Sequence, residues 1–326
     1  MNRFVIIDRK EPGRDRWVPG DRYLRPAIRR LIRGPHIPGG LDRVQLNLCR
    51  GLDEIGVRYA VNPSIDGIRD EDLVTVLGRG GNCLDGYDRS NRIMAGIGLM
   101  THPAEWPNLF EEYPVVRYLQ HCEWVRRLYA SYYGNTRVTC WPVGIDTYAW
   151  TPTPDRKKTT DFLLYDKIRW EHSRYERELI NPILATLRAH NLSSETLRYG
   201  SYDPNAYRTA LSRCRAMLFL CEHESQGIAY QEAMSAGVPV LAWDQGWWLD
   251  PNRFKWNAAN TPATSVPFFD QRCGIKFQDG SDFSEKLELF LHLMQRGAFD
   301  PRSYVTENLT LAKCASHFTQ LAKEVL

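Results

Sequence analysis

The chain lacks any apolar stretch approaching the ~20 residues that cross a bilayer, which excludes a transmembrane helix. Its eight cysteines, at positions 49, 83, 122, 140, 214, 221, 273 and 314, form no C-x-x-C pair. That excludes a zinc knuckle and a thioredoxin-type site, and it reads as buried thiols in a reducing compartment, so the cytoplasm is expected. No short repeat or low-complexity tract is present, which excludes solenoids and arrays. The opening Met1-Asn-Arg-Phe-Val-Ile-Ile-Asp8 has too short an apolar core for a signal peptide and no small-residue cleavage site. Aromatics are not scarce: ten Trp, sixteen Tyr and twelve Phe exclude disorder as the dominant state. There is also little excess of either charge, +3 over the whole chain. That small sum hides an asymmetry. Residues 1–40 hold ten Arg and Lys against four acids, a net +6, so the remainder sums to −3. A basic arm on a mildly acidic body suggests an anionic partner, whether phosphate groups, lipid head groups or nucleic acid; a solvated Arg-rich loop fits the same residues.

At 326 residues the chain suits two domains of ~150 residues each. Phe4-Val-Ile-Ile7 reads as a buried strand, residues 41–55 as a helix closed by Gly56, and Arg58-Tyr-Ala-Val61 as a second strand. Further strands are expected at 73–77, 97–100, 115–119 and from Arg137, with a helix over 123–133. The polar, Pro-rich stretch 151–160 reads as a linker. The same grammar then repeats: strands at 161–165, 197–199, 216–221 and 238–242, helices at 175–189, 204–213 and 228–236, and a last helix or pair of helices from Tyr304. This alternation predicts an α/β protein of two doubly wound, Rossmann-like parallel-sheet domains facing a cleft. The first domain, on the acceptor side, covers residues 1–150. The second, binding the nucleotide, covers 151–326, with its last helix free to pack back on the first.

The stretch Cys221 to Val240 carries the most chemistry. Gly227 allows a tight turn from strand to helix, and Gly237 and Pro239 stop that helix. The helix start offers free N–H groups and a positive dipole end, an anion site. Glu232 lies about one turn in, and its carboxylate leans back toward the same mouth. Beside a phosphate, a carboxylate is useful only as an acceptor for hydroxyls, and a ribose diol offers two. Glu224, on the loop and seven residues earlier, would take hydroxyls of a second sugar.

On these residues the chain resembles the retaining, nucleotide-sugar-dependent glycosyltransferases of the GT-B fold, whose signature is Glu–seven residues–Glu. The likeness runs through Glu224-Ser-Gln-Gly-Ile-Ala-Tyr-Gln-Glu232-Ala-Met-Ser-Ala-Gly-Val-Pro-Val240. Gly39-Gly-Leu-Asp-Arg-Val is similar to the family's amino-terminal Gly-Gly loop, and Trp141-Pro-Val-Gly-Ile-Asp146 to its segment closing the first domain. The resemblance implies that Glu232 binds the ribose, that Glu224 sits against the donor sugar, and that Ser225, Gln226, Gly227 and Ile228 line the diphosphate. Gly39 and Gly40 would let the first domain approach it. A basic pair would neutralise it, with Lys167 and Arg169 as candidates and Arg174 as an alternative member. His102, at a strand end, matches a cleft histidine and is a catalytic candidate beside Glu224. No metal and no cofactor beyond the nucleoside-diphosphate sugar is implied.

The expected activity is therefore transfer of a sugar, with retention, to a saccharide, lipid-linked glycan or nucleic acid. Two other readings fit the residues. One is a nucleotide-sugar epimerase or hydrolase of the same fold. The other is a nucleic-acid or membrane-surface binder working through residues 1–40, an arm that would also give an enzyme peripheral contact with an anionic membrane.

Overall fold

The structure is a computed structural model that describes residues 3–9, 18, 20, 24, 39–153 and 156–325. Most of the basic arm, from Lys10 to Pro38, lies outside the described residues, as do Pro154 and Asp155 of the linker. Six strands, β1 (Phe4–Ile7), β2 (Tyr59–Val61), β3 (Leu73–Val76), β4 (Ile93–Gly96), β5 (Val115–Gln120) and β6 (Val138–Cys140), form one sheet in the order β2-β1-β3-β4-β5-β6. Five more, β7 (Thr160–Asp166), β8 (Ser194–Arg198), β9 (Cys214–Leu220), β10 (Val240–Trp243) and β11 (Gly274–Phe277), form a second in the order β11-β10-β9-β7-β8. Every pairing in both sheets is parallel. Among the described residues no helix is long and apolar enough to cross a membrane.

The strands are apolar runs because both of their faces are covered. On β1, Phe4 and Ile6 face one core and Val5 and Ile7 the other. On β7, Phe162 and Leu164 divide in the same way from Leu163 and Tyr165. Helix α1 (Gly40–Glu54) covers one face of the first sheet and α2 (Glu123–Tyr133) the other. The second sheet carries α3 (Asn181–Ala189), α4 (Pro204–Arg213), α5 (Ile228–Ser235) and α6 (Phe283–Gln295). After α7 (Pro301–Asn308), the last helix, α8 (Leu311–Val325), returns to the first sheet and buries Ala315, Phe318, Leu321 and Ala322 beside Val44 and Leu48 of α1. The expected strand at 97–100 is four residues early in fact, at β4: Ile97 has φ +67, which ends the extended run. Strand β11 and helix α6 are additions to the expected elements.

In each sheet the strand order turns at one place, between β1 and β3 and between β7 and β9. Crevices at the carboxyl ends of such strands are where ligands bind in open α/β sheets. Asp8 and the Gly78-Arg-Gly-Gly81 loop leave the first switch point; Lys167 and Cys221 to Glu224 leave the second.

The lobes are fastened behind these crevices. Trp141 Nε1 donates to the Cys314 carbonyl at 2.9 Å, and Arg302 donates to the carbonyls of Thr147, Trp150 and Ser235 at 3.3, 3.2 and 2.6 Å. Gly51 sets how closely α8 approaches α1, since a Cβ there would lie 2.5 Å from the Leu311 carbonyl oxygen and 2.8 Å from Ala315 Cβ. Helix propensity alone makes Gly51→Ala stabilising, but backbone overlap reverses the sign. Urea unfolding is expected to register a loss of roughly 1–3 kcal/mol for Gly51→Ala; a gain in stability contradicts the close approach.

Candidate active site

Helix α5 begins where the sequence places its turn. Gly227 adopts φ +77, and a Cβ there would lie 2.0 Å from the Tyr230 ring. Tyr230 is held in turn by the Phe268 N–H, which donates to its hydroxyl at 3.0 Å. The helix is buried nearly all round, from Tyr230 to Ser235, and stops at Gly237, φ +77.

The loop into α5 is held from the first lobe at two points. Gln226 Oε1 accepts from the Val143 N–H at 2.9 Å while its Nε2 donates to the Val143 carbonyl at 3.2 Å, a two-way clamp across the lobes. Trp124 Nε1, on α2, donates to the Glu224 carbonyl at 2.8 Å. Ser225 and Ile228 are partly exposed between and beside these anchors.

Both glutamates face cations. Glu232 is buried, 5% exposed, and ion-paired with Arg43 Nη1, one turn into α1 of the other lobe. Glu224 pairs with Lys167 Nζ, which also lies 4.7 Å from the Tyr199 ring centroid. Burial pulls the Lys167 ammonium down, but Glu224 more than offsets it and holds it above its ordinary range. Arg169 is turned another way. Its guanidinium lies 4.4 Å from the Trp170 ring centroid and 3.4 Å from His223 Nε2. The backbone N–H groups of Arg169 and Trp170 both donate to Glu222 Oε1, at 2.7 and 2.9 Å. Glu222 is buried with its second oxygen unpartnered, and burial pushes its carboxyl up. Arg174 instead bonds the exposed Glu178 at 2.8 Å on the same helical stretch.

Gly39 and Gly40 open α1 at the same edge. Asp42 Oδ2 accepts from the Gly39 N–H at 2.9 Å, and Arg79 bridges Asp42 at 2.7 Å and Asp8 at 3.3 Å. Among the described residues, a Cβ on Gly40 would meet nothing within 4 Å, and one on Gly39 only Asp42 Oδ2 at 3.7 Å.

His102 is fully enclosed. Its ring stacks on Trp256 at 4.5 Å, meets Tyr132 edge-on at 5.0 Å, and lies parallel to Trp248 at 6.1 Å. Nδ1 accepts from the Ala104 N–H at 3.2 Å, and Nε2 has no partner among the described residues. Burial lowers its pKa, so the ring is neutral. His223 is likewise buried, stacked 5.3 Å from Trp170. Trp248 is part of this aromatic packing, whereas Trp247 is 48% exposed.

Another buried histidine feels the charge of Glu224. His121 follows directly on β5, and burial pushes its pKa down to about 4 against a pull from Glu224. Its Nδ1 lies 3.3 Å from the Trp141 carbonyl, which makes Nδ1 the protonated nitrogen. The signal for it was a histidine at the end of an apolar strand, the same feature that selected His102. For Arg43 and Trp124 the sequence held no such signal. Asp70-Glu71-Asp72, the one Asp-x-Asp in the chain, lies just before β3, at the edge away from the cleft. Asp72 is engaged there by Arg3 and by the Arg69 N–H.

Beside the cleft, the first lobe carries a groove of about 490 Å³ at the ends of β3 and β4. Gly80 and Gly81, the carboxylates of Asp85, Glu105 and Glu112, and the Trp106 and Tyr113 rings line it.

No protein-family model and no curated protein sequence matches the chain. Among solved structures it is similar to the pneumococcal O-GlcNAc transferase GtfA in complex with UDP and GlcNAc (TM-score 0.53, 11% identity, 77% of this chain and 57% of that one). It is similar also to S. aureus TarM, as a G117R mutant (TM-score 0.55, 11% identity, 86% and 58%). A third is the lipopolysaccharide outer core galactosyltransferase WaaB (TM-score 0.55, 9% identity, 99% and 100%). The chain thus spans under two thirds of the length of GtfA and TarM. These likenesses, with the two parallel sheets, show that the fold is GT-B.

Burial pushes the Glu232 carboxyl up to about 7 from its ordinary 4.5, against the pull of Arg43 and Arg208. Between those two values the native state binds a proton that the unfolded chain does not, so stability falls as pH rises through that window. Chemical denaturation is expected to give Glu232→Gln a flatter profile than wild type from pH 4.5 to 7, with parallel profiles above it. Equal slopes throughout contradict a buried carboxyl.

Proposed function

We propose that the chain is a retaining, metal-independent glycosyltransferase that moves a sugar from a nucleoside diphosphate to an acceptor. The observation that carries this reading is the mouth of α5. There an open amide end lies between one carboxylate a turn inside the helix and another on the loop, with Lys167 against the second. Amide groups and a cation suit a diphosphate; carboxylates suit the hydroxyls on either side of it.

As the bond from the sugar's anomeric carbon to the leaving oxygen breaks, negative charge builds on the diphosphate. A helix end and fixed cations stabilise that charge in place, with no reorganisation during the reaction. Glu224, on the donor-sugar side, orients hydroxyls, and the charge of Glu224 is felt by the buried, neutral His121 at the end of β5. His102 keeps its expected role only if its aromatic enclosure opens. Retention without an enzyme nucleophile assigns the acceptor's proton to the leaving phosphate.

The groove on the first lobe is the natural acceptor entrance, since it adjoins the Gly78–Gly81 loop at the cleft edge. Its three carboxylates repel phosphate, so a neutral saccharide suits it better than nucleic acid. Eight free thiols favour a reducing, cytoplasmic setting. Contact of residues 1–40 with an anionic membrane rests on their +6 charge.

A thermal-shift screen of UDP-, GDP-, ADP- and CDP-sugars tests the donor reading, because a ligand of the folded state raises the melting temperature. At least one is expected to stabilise the protein, and Glu232→Ala to weaken it by about 10- to 100-fold, as for lost bonds to a charged acceptor. No stabilising donor, or unchanged affinity in the variant, overturns the proposal.

A further inference from the structure

Both carboxylates of the donor pocket are already engaged: Glu232 with Arg43 across the cleft, Glu224 with Lys167 within the second lobe. The Arg43 and Glu232 side chains are 27% and 6% exposed, and those of Lys167 and Glu224 15% and 11%. Two shielded pairs of unlike charge leave this part of the cleft neutral. A ligand that takes one member of a pair strands the other, and a stranded charge away from water is costly. Hydroxyls alone would occupy the glutamates and strand the two cations. Phosphates alone would do the reverse. A molecule with hydroxyl-bearing groups on both sides of two linked phosphates satisfies all four side chains at once.

We propose that Arg43 is a donor-binding residue that leaves Glu232 for the diphosphate as the ribose hydroxyls take its place, while Lys167 makes the matching exchange at Glu224. This rests on the donor reading above and adds the residue that makes it selective. Arg43 is suited to the move. It lies one turn into α1, and Glu232, with which it pairs, lies one turn into α5, whose amide end is the expected phosphate position. Its planar fork matches two phosphate oxygens as well as it matches a carboxylate. Of the second lobe's cations, Arg169 is turned onto Trp170 and toward His223, and Arg208 acts on Glu232 without an ion pair among the described residues. The exchange keeps the contacts balanced: two cations pass from two carboxyl groups to two phosphates, and the carboxyl groups pass to hydroxyls. Free nucleoside, free sugar and inorganic pyrophosphate each complete only half of it.

Titration calorimetry on the full chain tests this with uridine, adenosine, guanosine and cytidine, their 5′-diphosphates, and inorganic pyrophosphate. One diphosphate is expected to bind wild type at least about tenfold more tightly than its nucleoside or pyrophosphate, the margin of one charge-assisted contact. In Arg43→Gln, that diphosphate is expected to weaken by about 10- to 100-fold. The matching nucleoside is expected to bind as well as before or better, since Glu232 has lost its competing partner. Arg43→Lys keeps the charge and is expected to lose no more than about tenfold, and it serves if the Gln variant does not fold. Unchanged diphosphate affinity in both variants, or an equal loss for nucleoside and diphosphate, overturns the exchange. A diphosphate that weakens in Glu232→Ala but not in the Arg43 variants removes the exchange alone. Failure of every diphosphate to bind wild type removes the donor reading and the exchange with it.

Discussion

A carboxylate kept out of water must be neutralised or paired, and at Glu232 the burial is nearly complete. Its ion-pair partner is Arg43, 189 residues earlier, on the first helix of the first sheet, with Arg208 of its own lobe adding to the pull. This one requirement ties the opening of the cleft to its chemistry. Helix α5 cannot slide to expose Glu232, because it is buried on almost every side. It cannot tilt freely either, because Gln226 grips the Val143 backbone in both directions just before it. The amide end of α5 is therefore fixed relative to the first lobe, and the space before it is bounded by both lobes.

Much of the interlobe contact is aromatic. Trp124 and His102 of the first lobe meet His223, Trp248 and Trp256 of the second. Such packing is strong in area and weak in direction, and the Trp124 indole, the Gln226 amide and the Arg43 guanidinium add directional contacts. Trp124 and Arg43 reach the loop and helix α5 from the first lobe, and Gln226 reaches back from that loop to Val143. The loop and helix that carry the candidate site are thus tied to the first lobe from both directions.

Much of the fold was legible because doubly covered strands show as apolar runs, as at Phe4–Ile7 and 161–165. Helix α5 was legible from Gly227, Gly237 and Pro239, each required by a backbone conformation. The strand at β4 was misplaced because Ile97-Gly-Leu-Met100 is as apolar as Ile93-Met-Ala-Gly96, and only the left-handed Ile97 distinguishes them. Strand β11 reads Gly-Ile-Lys-Phe, too short and too mixed to stand out. At the site, Glu224 and Glu232 were legible from spacing, and their cations were legible only in part. Lys167 is close to its strand end and could be read; Arg43 lies in another domain from its partner, and nothing local marks it. His121 carried the same local signal as His102, and only the tertiary packing separates a ring that feels the charge of Glu224 from one sealed among Tyr132, Trp248 and Trp256.

The most direct test is a crystal structure of the protein with a bound nucleoside diphosphate. The account predicts ribose hydroxyls within hydrogen-bonding distance of the Glu232 carboxylate, and the two phosphates against the backbone at Gly227 and Ile228. A nucleotide bound elsewhere, or one in this cleft with Glu232 untouched and its phosphates away from α5, would contradict it.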